Sequence, residues 1–237
     1  MPKDCCEAIK ILADAADDWR MKRKYKKALK KIEKALKIAP NFYIAWVMRG
    51  AIYGAMAFTG LGEWREKCLA EAMRSLDKAS EIKPNEYWPW YVRGKILYEA
   101  KEYGEALKAF NKALELIGDR DPGEIILWRA RTRFMIGDIE GCISDVTEML
   151  KPIGFDELLT RIEHKASEEG LNAKRIVGLC AKVLAEYLLV SECEGALKTI
   201  SEILGILPCP DVLVIKGLVL SCLGRHNDAI EVFQKVL

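Results

Sequence analysis

Side chains that could do covalent or metal chemistry are few in this sequence, and their spacing gives them no common site. His164 and His226 are the two imidazoles and stand far apart, the second of them in a turn. The eight cysteines are scattered and none forms a C-x-x-C pair, the spacing that a zinc ribbon or a dithiol redox centre needs. Most of them fall inside apolar stripes, where a free thiol behaves as a small hydrophobe. Carboxylates are plentiful but are mixed with lysines, the pattern of solvated helix faces. No phosphate-binding glycine loop, dinucleotide fingerprint, H-E-x-x-H or G-x-S-x-G element occurs. The reading is of a chain with no catalytic residues, no metal and no cofactor.

What remains is electrostatic. Arg20, Lys22, Arg23, Lys24, Lys26, Lys27, Lys30, Lys31, Lys34 and Lys37 are interrupted by one acid, Glu33. Ten cations against one acid give this segment +9, so with a net charge of +2 the rest of the chain carries −7. Such a run could engage phosphates or an acidic partner with a steep salt dependence. Aromatics to stack on bases are scarce there, because Trp19 and Tyr25 hold packing positions. A solvated lysine face is the preferred reading, and nucleic-acid or acidic-partner binding by residues 20–37 is the runner-up.

The elements that position these residues are helices. At 237 residues, 51% hydrophobic and 30% charged, the chain is far from the disordered regime, and its alanine, leucine, lysine and glutamate favour helix. Small residues recur at Ala28, Ala72, Ala106, Ala196 and Ala229, with Cys142 in the same place of a weaker copy. Seven residues on stand Ala35, Ala79, Ala113, Ile203 and Val236, with Met149 in the weaker copy, and Pro40, Pro84 and Pro208 close three of the copies. A small residue lets two helices touch, and a proline stops the second before the next copy begins.

With Trp46-x2-Arg49-Gly50-x2-Tyr53, Trp90-x2-Arg93-Gly94-x2-Leu97, Ala106-x3-Phe110 and Ala229-x3-Phe233, the chain resembles the tetratricopeptide repeat. That family's pattern is W-x2-L-G-x2-Y, then A-x3-F, then P, over roughly 34 residues. One hallmark departs: Arg49, Arg93 or Lys216 precedes the glycine where the family has leucine, and Arg129 stands before Ala130. A long basic stem covers apolar surface while its head reaches water or a carboxylate.

The resemblance implies an all-α fold, a right-handed α-α superhelix built as a solenoid of antiparallel helix pairs. One array over residues 1–237 is expected, with units at 9–42, 43–86, 87–120, 123–156, 177–209 and 210–237. An extra helix near 155–169 is read from Phe155, Leu158, Leu159, Ile162 and Ala166 at helical spacing. It is inserted between the fourth and fifth units as a joint between sub-arrays, ended by Gly170, with Asn172 capping the next helix. The second unit is ten residues longer than the third, so its hairpin, turning at Thr59-Gly60-Leu61-Gly62, would protrude with Phe58, Leu61 and Trp64.

The family also implies a concave groove lined by first helices. Steps of three and four put Trp88, Tyr91, Lys95 and Tyr98 of the third unit on one stripe with Leu127, Arg131 and Phe134 of the fourth and Ile44 and Val47 of the second. Such a floor suits an amphipathic helix or an extended apolar segment, and aromatics beside an arginine match interface hot spots. Truncating Tyr91 and Phe134 is expected to abolish partner capture while leaving helicity nearly intact. The functional reading is a non-catalytic scaffold holding a peptide or helix of another protein. The clamp by which some members grip acidic chaperone tails is not matched, since Ala13, Asp17, Met48, Trp88 and Val92 occupy its places. No run of about 18 apolar residues is present, so no membrane is expected. Scattered thiols and an N-terminus without a signal-like apolar core suggest the cytoplasm. Self-association through the C-terminal face is a third expectation, because the last pair lacks a polar capping helix.

Overall fold

The computed structural model describes residues 3–20, 24–59, 64–150, 155–188 and 193–236. Lys22, Arg23, the turn at 60–62 and the side chains of Arg20, Phe155 and Tyr187 lie outside the described set. Among the described residues the regular structure is α-helical, in thirteen helices, and the fold is the all-α array of helix pairs that the sequence implies. The chain forms two compact units, Met1–Asp119 and Arg120–Leu237. The division falls between the third and fourth repeats, whereas the sequence put a joint at the inserted helix.

The first unit holds α1 (Lys3–Arg20), α2 (Tyr25–Ile38), α3 (Tyr43–Ala57), α4 (Arg65–Ile82), α5 (Trp88–Glu99) and α6 (Tyr103–Leu116), paired as α1–α2, α3–α4 and α5–α6. In α2, Ala28, Leu29, Ile32 and Ala35 form the buried stripe and lysines occupy the remaining faces, the division a surface helix needs. It stops before Pro40, with the Ala39 amide donating to the Ala35 carbonyl at 2.8 Å. The recurrent small residues are the pair contacts: Ala28, Ala72 and Ala106 are fully buried.

The approach of paired helices is close enough to require glycine. A Cβ at Gly94 would lie 2.5 Å from the Phe110 ring, and one at Gly50 2.8 Å from Leu76. Phe110 fills the space a side chain on Gly94 would take, and it is itself fully buried.

The second unit holds α7 (Gly123–Met135), α8 (Ile139–Leu150), α9 (Phe155–Glu168), α10 (Ala173–Leu188), α11 (Cys193–Ile206), α12 (Pro210–Cys222) and α13 (His226–Gln234). Pairs α7–α8, α10–α11 and α12–α13 repeat the plan, and α10 also touches α7, α8, α9 and α12. Helix α9 is the inserted element, and Leu158, Leu159, Ile162 and Ala166 are all buried in one core with α10 and α12 residues. Asn172 caps α10 by accepting from the Arg175 amide at 3.1 Å. Gly217 repeats the arrangement of Gly94, with a virtual Cβ 2.4 Å from Phe233.

One feature departs from the sequence reading. Cys193 and Cys222 form a disulfide tying the start of α11 to the end of α12, with Cα atoms 6.5 Å apart, so these two are not free thiols. The turn between α5 and α6 closes with Lys101 at φ 66°, where Gly137 and Gly224 serve in the corresponding turns. The hydrogen bonds are the same in each: the Lys101 amide reaches the Tyr98 carbonyl at 2.9 Å and the Glu102 amide the Leu97 carbonyl at 2.9 Å. A side chain in this left-handed region costs about 1–2 kcal/mol.

Gly94→Ala is expected to lose about 1–3 kcal/mol through overpacking in urea unfolding followed by circular dichroism, whereas Gly104→Ala, which meets nothing within 4 Å, stays level or gains up to about 1 kcal/mol. Lys101→Gly should raise stability by about 1 kcal/mol in the same assay.

Candidate functional site

The predicted stripe divides by burial. On α3, Ile44 is 52% exposed while Val47, one turn on, is 2% exposed. On α5, Trp88 is 39% exposed and Tyr91 4%. Tyr91 lies beneath Trp88, ring centroids 5.5 Å apart, and reaches Phe110 at 6.4 Å. The Lys95 ammonium sits 5.2 Å from the Tyr91 ring, and Tyr98 meets Tyr103 edge-on at 5.3 Å. Ile44 and Trp88 are thus the accessible apolar residues of the stripe in this unit, at the same place in consecutive first helices that touch each other. Gly54 keeps those helices close, since its Cβ would lie 2.6 Å from Ile96.

In the second unit, Leu127 and Arg131 are buried. The Arg131 guanidinium lies 4.4 Å from the Trp128 ring, and half-buried Phe134 has the Lys182 ammonium 5.8 Å away. Removing Tyr91 would therefore open a cavity beside Phe110. Its truncation is a change in packing as well as in surface.

The arginines ahead of the glycines do more than cover apolar surface. Arg49 donates to Ser75 Oγ at 2.6 Å and to Glu71 Oε2 at 2.9 Å, with its guanidinium 4.8 Å from the Tyr53 ring and 5.8 Å from that of Trp46. Arg93 pairs with Asp77 of α4 and lies 5.2 Å from the Trp90 ring. Arg129 grips buried Asp145 with two bonds, at 3.0 and 2.7 Å, which Arg133 joins at 2.7 Å. Sequence reasoning left the partners unnamed; the spacing Trp-x2-Arg, which stacks one on the other along a helix, was the available signal.

The lysines of α2 separate into two sets. Lys31 pairs with Asp18 at 2.7 Å and Asp14 at 3.5 Å, Lys27 with Asp18 at 3.4 Å, and Lys34 with Glu7 at 3.9 Å. Helix α1 thus offsets part of the +9 segment. Lys24, Lys26, Lys30 and Lys37 are exposed and form no ion pair with a described residue. The Lys31 hydrogen bond, aided by Lys27, holds the Asp18 carboxyl below its ordinary value.

Burial pushes the Cys142 and Cys180 thiols up to about 12, which leaves them protonated and unreactive. No cluster of three His, Cys, Asp or Glu residues arranged for a metal occurs among the described residues, and no helix among them is long and apolar enough to cross a membrane.

Residues 88–119 match the family model described as tetratricopeptide repeat. These residues form a tetratricopeptide repeat. Its fold resembles that of PilW, a widely conserved type IV pilus biogenesis factor (TM-score 0.54, 19% identity, 95% of this chain and 90% of that one). It also resembles a human IFIT1 dimer with PPP-AAAA (0.51, 17%, 93% and 45%) and Naa15/Naa10 bound to HypK-THB (0.50, 21%, 97% and 36%). At these identities the likeness is one of fold. Among curated proteins none matches the chain significantly. The matched tetratricopeptide unit is the one that carries Trp88, Gly94 and Phe110.

The Arg49 hydrogen bond, followed by the charge of Arg49 and Arg74, lowers the Glu71 carboxyl from its ordinary 4.5. A depressed folded-state value means that the stabilisation is full above about 4.5 and is lost as pH falls through the lowered value. The stability gap between the native chain and Glu71→Gln, from urea titrations, should be about 1 kcal/mol at neutral pH and should close on acidification below pH 4.5.

Proposed function

We propose that the chain is a non-catalytic protein-interaction scaffold that holds a peptide or helical segment of another protein against the first helices of its N-terminal unit. The observation that carries this reading is the paired exposure of Ile44 and Trp88 at equivalent places on α3 and α5. Burying a large apolar side chain stabilises by about 1.5–3 kcal/mol, so leaving two of them open in neighbouring hairpins is a cost that a bound segment removes. Tyr91 and Val47 support the surface from beneath, and Lys95 and Tyr98 border it on α5. Leu127 and Arg131 belong to the packing of α7 in this proposal, with Phe134 its accessible side chain there.

Lysine pairing with α1 favours the groove over the basic run. Three of the lysines that a phosphate backbone would need already face carboxylates.

A double variant, Ile44→Glu with Trp88→Glu, is expected to keep the helicity and unfolding midpoint of the native chain. It should lose its partner by about a hundredfold or more in affinity, as anchor residues do. Capture from lysate of the native organism, comparing the two proteins by mass spectrometry, reads this out. An unchanged set of captured proteins would sink the proposal.

A further inference from the structure

The N-terminal unit carries a second concavity, set between the second helices α2 and α4 and floored by α3. It is an open surface cleft of about 600 Å³, lined by Glu33, Leu36 and Lys37, by Trp46 and Arg49, and by Glu71, Arg74 and Lys78. Trp46 and Arg49 lie on the side of α3 opposite Ile44 and Val47, as the helical period requires, so this cleft is separate from the surface proposed above. Its size is that of a ligand pocket.

The charges within it are unbalanced. Four cations face two acids, and the way they pair leaves the excess positive. Glu71 spends both oxygens on two guanidiniums, accepting from Arg49 at 2.9 Å and from Arg74 at 2.6 Å. One carboxylate between two arginines leaves a net positive charge at the floor, where Arg49 and Glu71 are mostly shielded from water. Among the described residues Lys37, in the last turn of α2, has no ion pair and Lys78 pairs with exposed Glu81 alone. The equivalent arginine of the next hairpin, Arg93, pairs with Asp77 and carries no such excess. Leu36 and Trp46 give the cleft an apolar wall, and Trp46 is fixed by donating its indole N–H to the Pro40 carbonyl at 2.8 Å.

We propose that this cleft takes a short acidic segment of a partner protein, with side-chain carboxylates on Lys37, Arg74 and Lys78 and an apolar side chain against Leu36 and Trp46. A protein segment fits better than a nucleic acid. Glu33 and Glu71 in the walls would repel an unbroken run of phosphates, whereas carboxylates on alternate side chains avoid them. The pinned indole, with Arg49 at its ring, is no platform for base stacking.

The test uses the full chain and three labelled probes: a peptide alternating glutamate and leucine, the same peptide with lysine for glutamate, and a thymidine oligomer. Fluorescence anisotropy should show saturable binding of the acidic peptide alone, weakening as salt screens the contacts. Lys37→Glu with Lys78→Glu should reduce its affinity about a hundredfold, while the same charge change at the other end of α2, Lys24→Glu with Lys26→Glu, should change it by about twofold or less. Circular dichroism checks that each variant is folded. Ile44→Glu with Trp88→Glu should leave the peptide's affinity unchanged, so failure here and failure of the groove reading are distinguishable. Equal losses in the two lysine variants, tighter binding of the oligomer that the cleft variant abolishes, or no saturable peptide binding at low salt would each overturn the proposal.

Discussion

Within a hairpin of this chain, paired helices approach until there is no room for a methyl group. Gly94 faces Phe110, Gly217 faces Phe233 and Gly50 faces Leu76 at distances a Cβ could not keep, and alanines bury themselves completely on the second helices. The consequence runs through the whole fold. Because each pair is dense, its remaining apolar surface is presented outward to the next pair, and a hairpin gains most of its stability from neighbours. The same density decides what stays open: residues on the contact faces are fixed, while side chains such as Ile44 and Trp88, at helix starts beyond the packed zone, remain accessible.

The arginines add a second constraint. A hydrophobic contact has no direction, whereas a guanidinium held by a carboxylate on another helix fixes register. Arg49 locks α3 to α4, and Arg129 with Arg133 locks α7 to α8 through Asp145, which is almost wholly buried. Each carboxylate removed from water here has its bonds made, as burial demands. The two arginines on Glu71 and the single acid on Arg93 show how one motif yields different local charge.

Much of this architecture was legible because it is local. The alanine spacing, the prolines and the apolar side of α9 are short-range patterns, and Ala106, Ala196, Leu158 and Ile162 are buried where those patterns put them. The stripe was only half legible. Helical period places Trp88 and Tyr91 on one side of α5, but burial depends on how far the second helix reaches, and Phe110 of α6 covers Tyr91. Ion partners such as Asp77 for Arg93 come from a different hairpin, and no local pattern names them. The pairing of Cys193 with Cys222 is likewise a matter of distance across the fold, invisible to a count of cysteines.

That disulfide gives the second unit a mechanical constraint of a kind not found among the described residues of the first. A repeat array pulled from its ends unravels hairpin by hairpin, each releasing its chain as slack. Here the bond bridges a sequence separation of 29, which at about 3.5 Å per extended residue withholds about 100 Å of contour length. Under oxidising conditions α11 and α12 could come off the array but not pay out between the two sulfurs. The molecule would be a shorter tether than its residue count implies, and its reach under load would depend on the redox state of the surroundings.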